Sequence, residues 1–225
     1  MDNLFNNKII FFRNLGLKNW IETFNKMHFF TKIRDNKTFD EIWFLEHYPI
    51  FTQGLLNKKY TNKSNQNLLY KIPIIDADRG GQITYHGPGQ QILYFLIDLT
   101  RRKINIRTFI DIMHNSVIST LRFFSIESYI KKNFPGVYVN EKKICSLGLR
   151  IKKGFTLHGL SLNVDMDLTP FNYINPCGDA NIKMTQVKEF NSFLTLQDIR
   201  YTLIKTLSHL LNVRMIEKKS ISNIF

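Results

Sequence analysis

A chain of 225 residues with 44% hydrophobic and 22% charged positions can bury a sizeable core, which excludes disordered and fibrous classes and predicts one domain over residues 1–225. No stretch approaches the roughly 20 uninterrupted apolar residues of a membrane span, and the start, Met1 to Lys8, lacks the basic-then-apolar layout of a signal peptide, so the expected location is cytoplasmic. The formal charge of +13, from 31 Lys+Arg against 18 Asp+Glu, would attract any anionic partner, but the basic residues are scattered rather than striped, and neither nucleic acid nor membrane is expected.

The apolar run Ile9-Ile10-Phe11-Phe12 reads as a strand. Leu17, Trp20, Ile21, Phe24 and His28 then recur at the helical period up to the polar Arg34-Asp35-Asn36. Between Ile42 and Gly54 two aromatic and β-branched runs meet at Pro49, which predicts two strands or one broken strand. The Lys- and Asn-rich stretch 57–67 reads as a solvated loop. Ile72-Pro73-Ile74-Ile75 is strand-like, and Gln82 to His86 and Gln91 to Asp98 predict two strands joined as a hairpin-like unit by Gly87-Pro88-Gly89. Phe109, Ile110, Met113, Val117, Ile118 and Leu121 place a helix over about 107 to 124. Gly136 to Val139, Lys143 to Ile151 and Phe155 to Val164 then predict an antiparallel meander. Thr195 with Asp198 caps a last helix carrying Ile199, Leu203, Leu207, Leu210 and Leu211. Strands in runs with helices between the runs predict an α+β fold with a mixed, largely antiparallel sheet.

Three segments carry chemistry. Arg79 to Gln90 packs four glycines among hydrogen-bonding side chains, which lets backbone amides approach a ligand; the alternative is a sharp turn whose polar groups satisfy buried backbone. It matches neither the dinucleotide fingerprint nor the phosphate-binding loop. In Lys142-Lys143-Ile144-Cys145, strand alternation turns one lysine inward, where desolvation favours the neutral, basic amine; the alternative is a lysine that reaches solvent at the strand end. Cys177, in Asn175-Pro176-Cys177-Gly178, stands on a Pro/Gly turn and is more accessible than a core thiol. Cys145 competes for the nucleophile's role, since alternation puts it on the face of Lys143, but its strand setting suits packing. Two cysteines make no disulfide framework, no Cys/His spacing resembles a zinc site, and His47, His86 and His158 fit acid–base or structural roles without metal spacing.

Taken in order, Leu45-Glu46-His47, Arg79 to Gln90, Lys143-Ile144-Cys145-Ser146-Leu147-Gly148, His158-Gly159-Leu160 and Asn175-Pro176-Cys177-Gly178 resemble the lipoyl(octanoyl) transferase family, over about residues 9 to 213. The resemblance implies a single catalytic domain with the α+β fold of biotin and lipoate protein ligases, packing a mixed, largely antiparallel sheet with helices. It implies transfer of an octanoyl group from octanoyl-acyl carrier protein to a lysine of lipoyl domains, those of 2-oxoacid dehydrogenases and the glycine cleavage H protein, with no metal or redox cofactor. Carried over by motif, Cys177 is the acyl-thioester nucleophile and Lys143 lowers its pKa. Arg79, Gly80, Gly81, Gln82, Ile83, Thr84, Tyr85 and His86, with Ser146, Leu147, Gly148, Gly159, Leu160 and Ser161, line the acyl-substrate pocket. Two positions depart from the family pattern: Cys145 and Ser161 stand where alanine is common.

Overall fold

The first strand, β1 (Ile9–Lys18), lies parallel to β2 (Asp40–His47), and helix α1 (Trp20–Ile33) crosses over between them. Asn19 starts that helix, its side-chain oxygen accepting the N–H groups of Ile21 and Glu22. Leu17, which the helical period assigns to the helix, belongs instead to β1 and pairs with Glu46 after a bulge between Asn14 and Gly16; a continued ladder outweighs an apolar spacing shared by chance. The computed structural model describes residues 8–56, 68–69, 71–132, 134–176 and 182–219.

The larger sheet adds β7 (Gln90–Leu96), β8 (Tyr129–Lys131), β9 (Phe134–Val139), β10 (Lys142–Lys152), β11 (Phe155–Asn163) and β12 (Arg214–Glu217), in the order β12-β1-β2-β7-β11-β10-β9-β8. Only β12/β1 and β1/β2 are parallel, so the sheet is mixed and largely antiparallel, as expected, and β9-β10-β11 form the expected meander. β12 has no counterpart in the sequence reading, because four residues ending in a polar tail carry too little periodicity to register.

Both faces of this sheet are covered. Ile42 and Phe44 of β2, with Leu93 and Phe95 of β7, pack beneath α3 (Ile106–Phe123) and α4 (Leu196–Leu210) through Phe109, Met113, Val117, Leu203 and Leu207. The alternate residues Trp43, Leu45, Ile92 and Tyr94 face α1 and Met27. Coverage on two faces explains why β2 and β7 are apolar in near-continuous runs. The predicted capping box holds, with Thr195 and Asp198 bonding reciprocally at the start of α4. The short helix α2 (Leu99–Arg102) links β7 to α3.

A smaller sheet, β4 (Leu68–Leu69), β5 (Ile72–Asp76), β3 (Ile50–Gln53) and β6 (Ile83–His86), has the order β4-β5-β3-β6. Pro49 separates β2 from β3, and the two strands lie in different sheets. The expected hairpin of residues 82–86 and 91–98 does not form: β6 pairs with β3, whereas β7 pairs with β2 and β11. Gly87-Pro88-Gly89 carries the chain from one sheet to the other. Gly89, at φ 85°, sits so close to the Asp165 backbone that any Cβ would overlap its carbonyl; its N–H donates to Glu46 Oε2 at 2.8 Å, and its own carbonyl accepts the N–H groups of Val164 and Asp165. Among the described residues, no helix is long and apolar enough to cross a membrane.

Candidate active site

Lys143 is buried, 1% exposed, at the start of β10. Its stem runs through a slot that exists because residue 136 is glycine at φ 133°: a Cβ there would overlap Lys143 Cε. At the end of the slot Nζ donates to the carbonyl of Pro135 at 2.6 Å, and it stands 5.8 Å from the Tyr138 ring centroid. Lys142 turns outward to Glu189, 3.6 Å away, so one lysine of the pair faces inward, as alternation requires. The Lys143 backbone is pinned as well, its N–H donating to Lys183 O and its carbonyl accepting Thr185 N–H. Cys177 lies outside the described residues; its neighbour Pro176 lines the same cavity as Lys143.

Cys145 does not share the lysine's setting. A register irregularity between Lys143 and Cys145 interrupts the alternation that would place them on one face, and Cys145 packs in the apolar core with Val137, Ile144 and Leu162. Burial pushes its thiol up to about 12, against a smaller opposing pull from Lys143, so it remains protonated and unreactive at neutral pH.

The cavity, about 900 Å³, sits at the upper end of small-molecule pockets, roughly 300–1,000 Å³. Arg79 to Thr84 and His86 line it from the smaller sheet and its loop, and Ser146 to Gly148 and Gly159 to Ser161 line it from β10 and β11. Tyr85 does not; its ring packs against Phe51 and Phe171, with centroids 5.4 and 5.6 Å away. The glycines serve close backbone approach. Gly80 N–H donates to Leu149 O at 2.8 Å, tying the loop to β10, and a Cβ on its neighbour Gly148 would lie 3.1 Å from Gly80 O. That Gly80 amide is therefore engaged by the protein and not open to a ligand.

Arg79, singled out as an anion-binding candidate, donates through Nη2 to Thr52 O at 2.6 Å and to Thr52 Oγ1 at 2.9 Å. From Thr52 a chain of hydrogen bonds runs inward: Thr52 Oγ1 to His86 Nε2 (3.2 Å), His86 Nδ1 to Gln90 Oε1 (2.7 Å), Gln90 Nε2 to Asn163 Oδ1 (3.0 Å), and Asn163 Nδ2 to Thr185 O (3.0 Å). Thr185 is the residue that bonds the Lys143 carbonyl, so the chain links the glycine-rich loop to the lysine. Because Gln90 Oε1 only accepts, His86 carries its proton on Nδ1, and Nε2 accepts from Thr52. Burial, then His47, pushes His86 down to about 3, and burial pushes His47 down to about 4. His47 donates from Nδ1 to Lys18 O and accepts at Nε2 from Tyr94 OH. Both rings are neutral at pH 7; His86 is fixed polar wall of the cavity and His47 packs behind it, and neither acts as a titrating acid or base.

Sequence reasoning missed Thr52, Asn163 and Thr185, whose signal is only a buried hydroxyl or amide in an apolar context. It also missed the apolar wall: Ile106 and Ile110 of α3, Ile130, and Phe134. Ile110 reads as core from its spacing, and no pattern in the chain distinguishes a core face from a ligand-facing one.

The family model described as the lipoyl protein ligase A/B catalytic domain matches residues 25–208. An octanoyltransferase of Buchnera aphidicola subsp. Schizaphis graminum is 74% identical over 216 residues, covering 96% of this chain and 99% of the relative. Among solved structures, lipoate-protein ligase A bound with ATP superposes with a TM-score of 0.77 at 15% identity, covering 95% of this chain and 90% of that one. A biotin protein ligase from Aquifex aeolicus gives a TM-score of 0.52 at 12% identity over 90% of this chain and 69% of that one, a likeness of fold alone.

Proposed function

This chain belongs to the lipoyl protein ligase A/B catalytic-domain family, on its octanoyltransferase branch, and from that premise we propose a two-step acyl exchange that begins protein lipoylation. Cys177, as thiolate, attacks the thioester carbonyl of octanoyl-acyl carrier protein; the carbon–sulfur bond to the carrier breaks, and octanoyl is held as a thioester on the enzyme. Lys143 takes the thiol proton and returns it to the departing carrier thiol. A lysine amine of a lipoyl domain, from a 2-oxoacid dehydrogenase or the glycine cleavage H protein, then attacks the acyl-enzyme. The amide forms, the carbon–sulfur bond to Cys177 breaks, and Lys143 receives the amine's proton.

The observation that carries this reading is the placing of the Lys143 amine at the wall of a large, partly apolar cavity that Pro176, covalent neighbour of Cys177, also lines. Ile106, Ile110 and Phe134 offer the alkyl chain an apolar surface, worth about 0.8 kcal/mol per methylene transferred from water. The net charge of +13 would speed encounter with acidic protein partners more than it tightens the complexes. Residues 1–225 would act as one catalytic domain.

Intact-protein mass after incubation with octanoyl-acyl carrier protein tests the scheme. Wild type and Cys145→Ser should gain one hydroxylamine-sensitive octanoyl group, and Cys177→Ser none. A thioester adduct on Cys177→Ser would move the nucleophile elsewhere, and acceptor labelling that requires ATP and free octanoate would replace the transferase with a ligase.

A further inference from the structure

Three side chains that can ligate a metal converge beside the cavity, where His158 alone of the three lines its wall and where the acyl exchange uses none of them. His28 comes from α1, Asp78 from the loop between β5 and β6, and His158 from β11; one ligand atom of each lies within 4.8 Å of the others. A single carboxylate faces two imidazole nitrogens: Asp78 Oδ1 is 2.7 Å from His158 Nε2, and Asp78 Oδ2 is 3.3 Å from His28 Nε2. His28 Nε2 is buried and faces the cluster, with the Asp78 carboxylate as its neighbour at 3.3 Å.

The backbone supports the same convergence. His158 sits at φ 59° inside a strand, a left-handed conformation that costs a non-glycine residue about 1–2 kcal/mol. Its N–H leaves the ladder to meet Met27 Sδ of α1 at 3.2 Å. This local departure from sheet geometry brings a buried imidazole to Asp78, and strain of this kind gathers at functional sites.

We propose that His28, Asp78 and His158 form a binding site for a divalent transition ion of the zinc class, with two imidazole nitrogens and one carboxylate oxygen as ligands and an open fourth position. Two histidines and a carboxylate are the donor set of an open zinc site, with ligand distances of about 2.0–2.2 Å. Tetrahedral ligands at that distance stand about 3.4 Å apart, so the three donors need side-chain shifts on the order of 1 Å. The Arg79 guanidinium is occupied at Thr52 and Gly80. A bound ion would clamp α1, the loop before the glycine-rich segment and β11 around one edge of the cavity. Positions 28, 78 and 158 have no ligand spacing in sequence, since only the fold joins them.

The test is titration of chelator-treated enzyme with Zn²⁺ by calorimetry and with Co²⁺ by visible absorption. One equivalent should bind, with the intense visible bands of four-coordinate Co²⁺. His28→Gln and Asp78→Asn should each weaken Zn²⁺ binding by at least the roughly 10–100-fold that loss of an outer-shell partner costs. The Cys145→Ser/Cys177→Ser double variant should bind as wild type does. Absence of a stoichiometric site, unchanged affinity in His28→Gln, or loss of binding in the cysteine variant would overturn the assignment. X-ray absorption on the zinc-loaded wild type gives a check free of variant folding: nitrogen and oxygen neighbours support the site, and sulfur neighbours refute it.

Discussion

Two deeply buried ionisable side chains of this molecule, Asp40 and Lys143, have opposite consequences. Asp40, at the start of β2, is fully enclosed and met by Arg34 Nη2 at 2.5 Å, Arg101 Nη2 at 2.7 Å and Arg102 Nε at 2.5 Å, with the Asp98 N–H donating at 2.9 Å. None of these side chains lines the cavity, and the carboxylate is saturated by donors. Lys143 is as deeply buried, but its slot opens on the cavity and its amine is held by a backbone carbonyl. Saturation makes Asp40 a rivet between α1, α2 and β2, whereas Lys143 keeps an amine at a surface where substrate can arrive. Depth of burial alone therefore does not separate a structural charge from a chemical one; the partners do.

The sharpest way to break this contrast is Lys143→Met, which keeps the stem's volume and removes the amine. Octanoyl transfer should fall about 10²–10⁴-fold, the usual worth of a positioned base, while the thermal midpoint stays close to wild type because the stem's packing in the slot is kept. Transfer within tenfold of wild type would end the assignment of Lys143 as base. Asp40→Asn should do the reverse. Leaving three arginines facing a neutral amide should cost about 3–5 kcal/mol in denaturant unfolding, with transfer per folded molecule unchanged; loss of transfer ahead of stability would make Asp40 part of the site.

The smallest effect concerns the two neutral, buried histidines His47 and His86. His47 and His86 have folded pKa values of about 4 and about 3, below the ordinary 6.5. Their unfolded forms take up protons first as pH falls, so the stability they contribute is intact above pH 6.5, declines below it and is gone at the folded values. Between pH 7 and 5.5 each should subtract about 1.2 kcal/mol from unfolding free energy, and His86→Gln should remove that residue's share of the slope. A slope unaltered in His86→Gln would mean that His86 titrates normally.

Local signals in the chain carried well. The helix expected over about 107 to 124 is Ile106–Phe123, and the Thr195–Asp198 capping box lies where its spacing puts it, because each depends on side chains three or four residues apart. That one lysine of the pair 142–143 faces inward follows from strand alternation, and the motif, not the alternation, selects Lys143. Signals that depend on which strand lies beside which did not carry. Gly87-Pro88-Gly89 reads as a hairpin turn, but its neighbours join different sheets, and Cys145 leaves the lysine's face through an irregularity set by pairing with β9. The hydrogen-bond chain from Arg79 through Thr52, His86, Gln90 and Asn163 to Thr185 has no linear motif at all, since its members meet only when two sheets and the segment at 183–185 are packed together.

By itself, the order of residues determined the element types, the glycines where backbone must approach backbone, and the chemistry-bearing side chains, because these follow from local stereochemistry and periodicity. Only the tertiary structure decided which of those side chains face the cavity, that Tyr85 faces away from it, that Cys145 is inert core and that His28, Asp78 and His158 meet. Each of these depends on burial and on contacts between residues far apart in the chain, and pairing and packing between sheets, not spacing along one strand, set those contacts.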